Sequence, residues 1–459
     1  MKFEDYNWPL KNPNHTAYQH QKDTTEFLLR NKRAFVLSDM GTGKTLSALW
    51  ATDILFEMNA IKRVLIIAPL TTLQLVWGYE LFTNFPNRYY AIAHGTRQDC
   101  QRAMNSEAHY IILNHDSVKF RFEELYNMQG DILIIDELTA FKNISADRHK
   151  AMKKIANRFK AVWGMTGAPT PNSPTEAYGQ AKVVNPNNPD LPRYYGQYRD
   201  IVATQVALGI WIPTIHAEQM VHRVLQPAIR FTRDECLDIP PVTRQKYELE
   251  MTKEQKRLYD DMKTQMYASY DRGEITAVNA GVNLMKLLQI SAGAVYDDER
   301  FVCYCDADSK LDLILEIFEE LGRTKLIVVA AFVNVVLRLT EKLQSLGIRA
   351  DCVYGEVKNR TQIIDRFQKR DLQILIVQPQ AVSHGVTLTA ANTIVWHSYI
   401  QSGETHLQMN DRINRIGQTR KQYVIYLTCS KAEEKTVQRL EGKKDRSDSV
   451  LEMFANHEF

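Results

Sequence analysis

Eight residues, Ser38-Asp39-Met40-Gly41-Thr42-Gly43-Lys44-Thr45, have the types and order needed to hold a triphosphate. Gly41 and Gly43 can take backbone angles that turn successive N–H groups toward an anion. Lys44 is then placed to reach β- and γ-phosphates, and the Thr45 hydroxyl to hold Mg²⁺. Ser38 stands where the general pattern usually has glycine. A Gly-Lys-Thr in a surface turn is the plain alternative, but the flanks argue against it. Ala34–Leu37 reads as a buried strand and Leu46–Ala51 as the start of a helix, the setting such a loop requires. A second chemical pair, Asp136-Glu137, closes the apolar run Asp131–Ile135. Asp136 at a strand's carboxyl end would hold Mg²⁺, and Glu137 would orient and deprotonate a water. Near the other end of the chain Gln408, Arg412 and Arg415 are spaced four and seven apart. On a helix they share one face, from which two guanidiniums could act as arginine fingers on a γ-phosphate. In isolation a solvated helix face explains that spacing as well. A glutamine in Tyr18-Gln19-His20-Gln21 has the donors and acceptor to pair with adenine N6 and N7, or to line a polar helix face.

These groups need a scaffold. Further buried strands are expected at Lys62–Pro69, Tyr110–His115 and Ala161–Met165, the last running into Thr166-Gly167-Ala168-Pro169-Thr170-Pro171-Asn172. Strands alternating with helices predict an α/β fold with parallel sheets. From about Ser173 to Asp308 the strand signal weakens. Proline turns, aromatics and a helix expected over Glu254–Tyr270 take its place, and most of the aromatics read as core. A second α/β pattern starts at Ser309-Lys310-Leu311, with strands at Lys325–Ala330, Leu372–Val377 and Thr393–Trp396. The charged run Glu441–Arg446 would brace that second half or fray.

Composition narrows the class. At 459 residues two or three domains are expected. With 44% hydrophobic and 24% charged residues the chain is globular, and a net charge of +3 leaves nucleic acid to a local basic groove, not a basic surface. Six scattered cysteines fit reduced thiols; Cys303-x-Cys305 lacks a second pair at zinc spacing. No signal-peptide core follows Met1, and Leu326–Leu337 is too short to span a bilayer. A cytoplasmic protein without a membrane partner is the expectation.

Met40-Gly41-x-Gly43-Lys44-Thr45, Ala68-Pro69 with Trp77 and Glu80, Asp136-Glu137 with Lys142-Asn143, Thr166-Gly167-x-Pro169-x-x-Asn172 and Asp411-Arg412-x-x-Arg415-Ile416-Gly417-Gln418 together resemble the SWI/SNF-like group of superfamily 2 helicases. The last stretch is the most specific. The resemblance covers about Gln19 to Leu427. It implies two RecA-like lobes, 1–229 and 309–459, around a helical insert, 230–308. It also implies ATP and Mg²⁺ as cofactors and Gln21, not Gln19, as the adenine reader, because Phe27 and Leu28 then fall at the family's offsets. The nucleotide would bind Gln21, Ser38, Asp39, Met40, Gly41, Thr42, Gly43, Lys44, Thr45 and Gln408. Catalysis would use Lys44, Asp136, Glu137, Arg412 and Arg415, with Thr45 and Asp136 on the metal. Thr71, Asn114, Lys142 and Thr387 would hold phosphates of double-stranded DNA. Two departures bear on coupling: Thr139 stands where the family has His or Gln, and Val382-Ser383 replaces a glycine pair. The expected activity is DNA-stimulated ATP hydrolysis driving translocation by a monomer of bacterial or phage origin. A strand-separating helicase of repair, recombination or replication, acting on DNA or RNA, and a slow nucleotide-switched binding module are the rivals.

Overall fold

In the computed structural model, residues 3–10, 16–128, 130–207, 210–236, 242–270, 273–276, 280–297, 299, 301–369, 372–382, 387–414 and 418–452 are described. They fall into two compact units, one within Met1–Asp238 together with residues 445–452, and one within Ile239–Lys444.

Short runs of alternating apolar side chains build a parallel sheet in the first unit. Its strands are β1 (Arg33–Val36), β2 (Val64–Ala68), β3 (Tyr90–Ile92), β4 (Tyr110–Asn114), β5 (Ile132–Asp136), β6 (Ala161–Met165) and β7 (Ala228–Ile229). They lie in the order β3-β4-β2-β5-β6-β1-β7, every neighbouring pair parallel. Successive residues of one strand enter opposite cores. Leu65, Ile67, Leu133 and Ile135 face one, and Val64, Ile66, Ile132 and Ile134 the other. Both faces are therefore buried, as parallel sheets require. Because every strand runs the same way, the loops after β1, β2, β4, β5 and β6 emerge along one edge. Helix α1 (Gln19–Arg30) precedes β1, α2 (Lys44–Glu57) follows it, and α3 (Glu176–Val184) follows β6. Trp50 of α2 is fully buried and donates through Nε1 to Pro9 O at 3.1 Å, while Asp53 Oδ2 accepts from Tyr6 at 2.6 Å.

A second all-parallel sheet contains β8 (Val242–Glu248), β9 (Leu326–Val329), β10 (Ala350–Val353), β11 (Ile374–Val377), β12 (Thr393–Trp396) and β13 (Gln422–Thr428), ordered β8-β13-β12-β9-β11-β10. Its alternation also splits two ways, Ile327, Val329 and Trp396 on one side and Leu326, Val328 and Val395 on the other. Helices here include α4 (Lys253–Gln265), α5 (Ala280–Ser291), α6 (Asp308–Glu320), α7 (Gly403–Asn410) and α8 (Lys431–Glu452), whose residues 445–452 belong to the first unit. The architecture is the expected α/β one, two parallel sheets with helices on their faces.

Three local expectations are corrected. The helix expected over Glu254–Tyr270 stops at Gln265, because Met266 is left-handed (φ 53°) and Tyr267–Tyr270 pairs antiparallel with Gly273–Thr276. Of the stretch 230–308, residues 230–236 belong to the first unit, and 242–248 form the edge strand β8 of the second sheet. Gln408 and Arg412, expected with Arg415 on one face of a helix, do not share one: α7 ends at Asn410 and Arg412 lies in the turn beyond its cap, while Arg415 lies outside the described residues. The run 441–446 continues α8. Among the described residues no helix is long and apolar enough to cross a membrane, and all six cysteines are free thiols.

Candidate active site

Strand β1 ends at Val36, and the loop that follows is bent at Gly41 (φ 84°) and Gly43 (φ 83°), angles that side-chain-bearing residues rarely adopt. Gly43 is also the residue from which α2 starts. A methyl group at Gly43 would meet Gln21 Nε2 at 1.9 Å, so the glycine lets the Gln21 amide rest against the loop. The carbonyl oxygens of Ser38 and Asp39 turn inward to accept from Lys44 Nζ at 2.7 and 2.9 Å. Thr42 O accepts from His20 Nε2 at 2.9 Å, and Thr42 Oγ1 donates to Asp39 O at 2.9 Å. Gln21 is buried, and its Oε1 accepts from Tyr18 N at 3.2 Å. Gln19 instead donates to Asp23 at 2.7 Å on the surface.

The acid pair comes from β5. Asp136 Oδ2 accepts from Trp77 Nε1 at 3.0 Å, and Oδ1 accepts from Glu137 N at 3.1 Å. His115 Nε2 donates to Asp136 O at 2.7 Å. Glu137 has φ 49°, a left-handed conformation that costs a non-glycine residue about 1–3 kcal/mol. That strain sits at the residue proposed to handle water. Burial holds the Asp136 carboxyl above the usual range, opposed by the Trp77 hydrogen bond and the Lys44 charge. Burial likewise pulls Lys44 below the usual lysine value, opposed by Glu137, Asp136 and Asp39. The ammonium and both carboxylates thus share one poorly hydrated field, where each charge acts on its neighbours more strongly than in water.

Of the residues expected to hold DNA, Asn114 closes β4 beside Ala68 of β2, Thr71 is exposed in the loop after β2, and Lys142 follows the short 3₁₀ turn Leu138–Phe141 after β5. All three are on the sheet edge that carries Lys44 and Asp136. Asn114 Oδ1 accepts from Ser117 at 2.5 Å. Lys142 Nζ pairs with Glu176 of α3 at 3.0 Å, and the same carboxylate accepts from Asn172 Nδ2 at 3.1 Å, joining two segments singled out from the sequence. Thr139 is buried.

In the second unit Thr387 is exposed, its carbonyl accepting from Gln368 Nε2 at 2.6 Å. Gln408 is buried and donates to Glu404 at 3.5 Å. Arg412 is 2% exposed, and its carbonyl accepts from Leu388 N at 2.9 Å. Arg415 and Ser383 lie outside the described residues.

Sequence reasoning gave no role at the nucleotide loop or the acid pair to five neighbours: His20, Trp77, His115, Arg230 and Arg233. Trp77 was singled out only within the family pattern, although a tryptophan between two site strands, whose indole N–H needs a partner when buried, is a usable signal for a buried donor. The others act across long separations. Phe231 N donates to Ser38 Oγ at 3.0 Å, and Arg233 donates to Met40 O from Nε at 3.1 Å and Nη2 at 2.9 Å.

Residues 20–293 match the family model for the SNF2-related domain, and residues 309–417 match that for the helicase conserved C-terminal domain. The chain is similar to protein p41 of the Acyrthosiphon pisum secondary endosymbiont phage 1, at 24% identity over 95% of this chain and 97% of that one. It is 23% identical to the uncharacterized ATP-dependent helicase MG018 of Mycoplasma genitalium, over 90% of this chain and 40% of the relative. With the ISWI chromatin-remodeling complex ATPase ISW2 of Saccharomyces cerevisiae it shares 24%, over 92% and 39%. This chain therefore spans about two fifths of the latter two relatives. The solved Sulfolobus solfataricus SWI2/SNF2 ATPase core in complex with dsDNA is 21% identical, with 96% of this chain and 94% of that one covered and a TM-score of 0.46.

Proposed function

The chain belongs to the SNF2-related family, and from that premise we propose that it couples ATP hydrolysis to movement along duplex DNA. It is an ATP-dependent enzyme of the helicase type. The observation that carries the site assignment is the meeting of Lys44, Asp136 and Glu137 at one edge of the first sheet, with Gln21 seated against Gly43.

In this reading Lys44 exchanges its two carbonyl partners for β- and γ-phosphate oxygens, and the loop N–H groups bind the remaining charge. Gln21 orients the base. Glu137 holds and deprotonates the attacking water. Thr45 and Asp136 offer hydroxyl and carboxylate oxygens, the donor types that suit Mg²⁺, which when bound neutralises charge building on the phosphates. The family pattern, not the geometry, assigns Arg412 and Arg415 the arginine-finger role. Thr71, Asn114, Lys142 and Thr387 are assigned to DNA backbone phosphates, which makes binding salt-sensitive and largely independent of sequence. The whole-length likeness to a phage protein supports a place in the cytoplasm of an infected bacterial cell.

An ATPase assay with duplex DNA, single strands and RNA as activators tests the reading. Duplex-stimulated turnover abolished by Lys44→Ala supports it. Full activity in that variant overturns the site. Preference for single strands or RNA, with strand separation, favours the conventional helicase instead. Tight ATP-dependent DNA binding with negligible turnover favours the switched binding module.

A further inference from the structure

The segment 231–233 lies against the phosphate loop, and at least five hydrogen bonds join the two. Phe231 N donates to Ser38 Oγ at 3.0 Å, Asp39 N to Phe231 O at 3.0 Å, and Arg233 N to Asp39 Oδ2 at 3.0 Å. The last two are the Arg233 guanidinium bonds to Met40 O, at 3.1 and 2.9 Å. Arg233 is only 5% exposed, so its cation is committed to this contact and not to solvent. Arg230, 4% exposed, adds an ion pair to Asp39 Oδ1 at 3.6 Å.

A trans peptide is planar, with its C=O and N–H pointing in opposite directions. Fixing the Met40 carbonyl toward Arg233 therefore fixes the Gly41 N–H in the opposite direction. His20 makes the equivalent bond to Thr42 O and so sets the Gly43 N–H. Gly41 and Gly43 are the two residues whose freedom would otherwise let these peptides flip.

We propose that Arg233 is a positioning residue for ATP, clamping the Met40 carbonyl from outside the loop so that the Gly41 N–H is aimed at the phosphates before nucleotide arrives. His20 supports it at the next peptide but one. The proposal rests on the reading that Ser38–Thr45 binds ATP. A forked guanidinium suits the task because two N–H groups converge on one oxygen, which a lysine ammonium cannot reproduce with the same rigidity.

The test compares wild type, Arg233→Ala, Arg233→Lys and Lys44→Ala for MgATP affinity by calorimetry and for KM and kcat, with duplex DNA present. Arg233→Ala is expected to weaken ATP binding and raise KM about tenfold, with kcat changed less than about threefold. Guanidinium ion at low millimolar concentration restores part of the affinity, and Arg233→Lys falls between the two. An unchanged KM with only a lower melting temperature overturns the proposal. So does an affinity loss that neither lysine nor guanidinium recovers. If wild type and Lys44→Ala alike bind no ATP, the nucleotide reading itself fails and the proposal with it.

Discussion

The two sheets end in different chemistry although they are built alike. At the carboxyl ends of β1 and β5 a half-buried lysine is held only by carbonyl oxygens, and the carboxylates that attract it are not its hydrogen-bond partners. Beyond the ends of β12 and β13 a buried lysine meets its carboxylate directly: Lys310 Nζ lies 2.6 Å from Glu433 Oε1, both side chains are closed to solvent, and Lys310 also donates to His397 O at 2.9 Å. Cys429 N donates to the second Glu433 oxygen at 2.9 Å. A lysine fully paired with its counter-ion is committed to the fold. One held by neutral dipoles keeps its charge for an incoming phosphate. The same architecture thus yields a brace in one unit and the proposed phosphate site in the other, and the loops decide which.

Breaking the brace is expected to have the largest effect on stability. Lys310→Met leaves Glu433 buried and unpaired, and chemical denaturation should report a loss of about 3–5 kcal/mol. Lys44→Met, by contrast, should leave the melting temperature nearly unchanged. Equal destabilisation by the two would erase the distinction.

Removing a single donor sharpens the other side of the comparison. Trp77→Phe keeps the ring and loses the N–H to Asp136. The lost bond to a charged group corresponds to about a tenfold fall in turnover at neutral pH. Burial already raises the Asp136 carboxyl and the Trp77 bond opposes it, so the variant's carboxyl rises further. Its acid limb should move to higher pH, with a larger Mg²⁺ requirement.

His397 gives the brace a pH signature. Burial first, then the Lys310 charge, holds its imidazole well below the usual value. The unfolded chain takes up a proton near pH 6.5 that the folded one refuses, so stability is full above that value and falls as pH drops below it. The slope is about 1.4 kcal/mol per pH unit for one proton. Denaturation between pH 7 and 5 should show this slope reduced by one proton in His397→Asn. The smallest effect is expected of Lys142→Ala. Its partly exposed pair with Glu176 is worth about 1 kcal/mol or less, whereas a phosphate contact would lower the salt slope of duplex binding by about one.

How far the sequence revealed this depended on how local each signal was. The glycine loop and the acid pair are each contiguous in sequence, and the strands before them are apolar runs buried on both faces, so local residue order located them. The edge strand β8, with its Thr-Arg-Gln-Lys core, is absorbed into the expected helical insert because an edge strand lacks the apolar run of a central one. The supports of the site were hidden by separation. Trp77 and Asp136 are 59 residues apart, and Arg233 and Met40 are 193 apart. Nor does spacing reveal where a helix stops: the intervals from Gln408 to Arg412 and Arg415 suit one face, yet α7 caps at Asp411.

The central claim is that Glu137, placed beside Asp136 in a strained conformation, activates the water that hydrolyses ATP while the chain is engaged with DNA. ATP turnover with saturating duplex DNA, measured for wild type and Glu137→Gln, tests it most directly. The account predicts a fall of about 10²–10⁴-fold with ATP and DNA binding retained. Turnover in Glu137→Gln equal to wild type would contradict it.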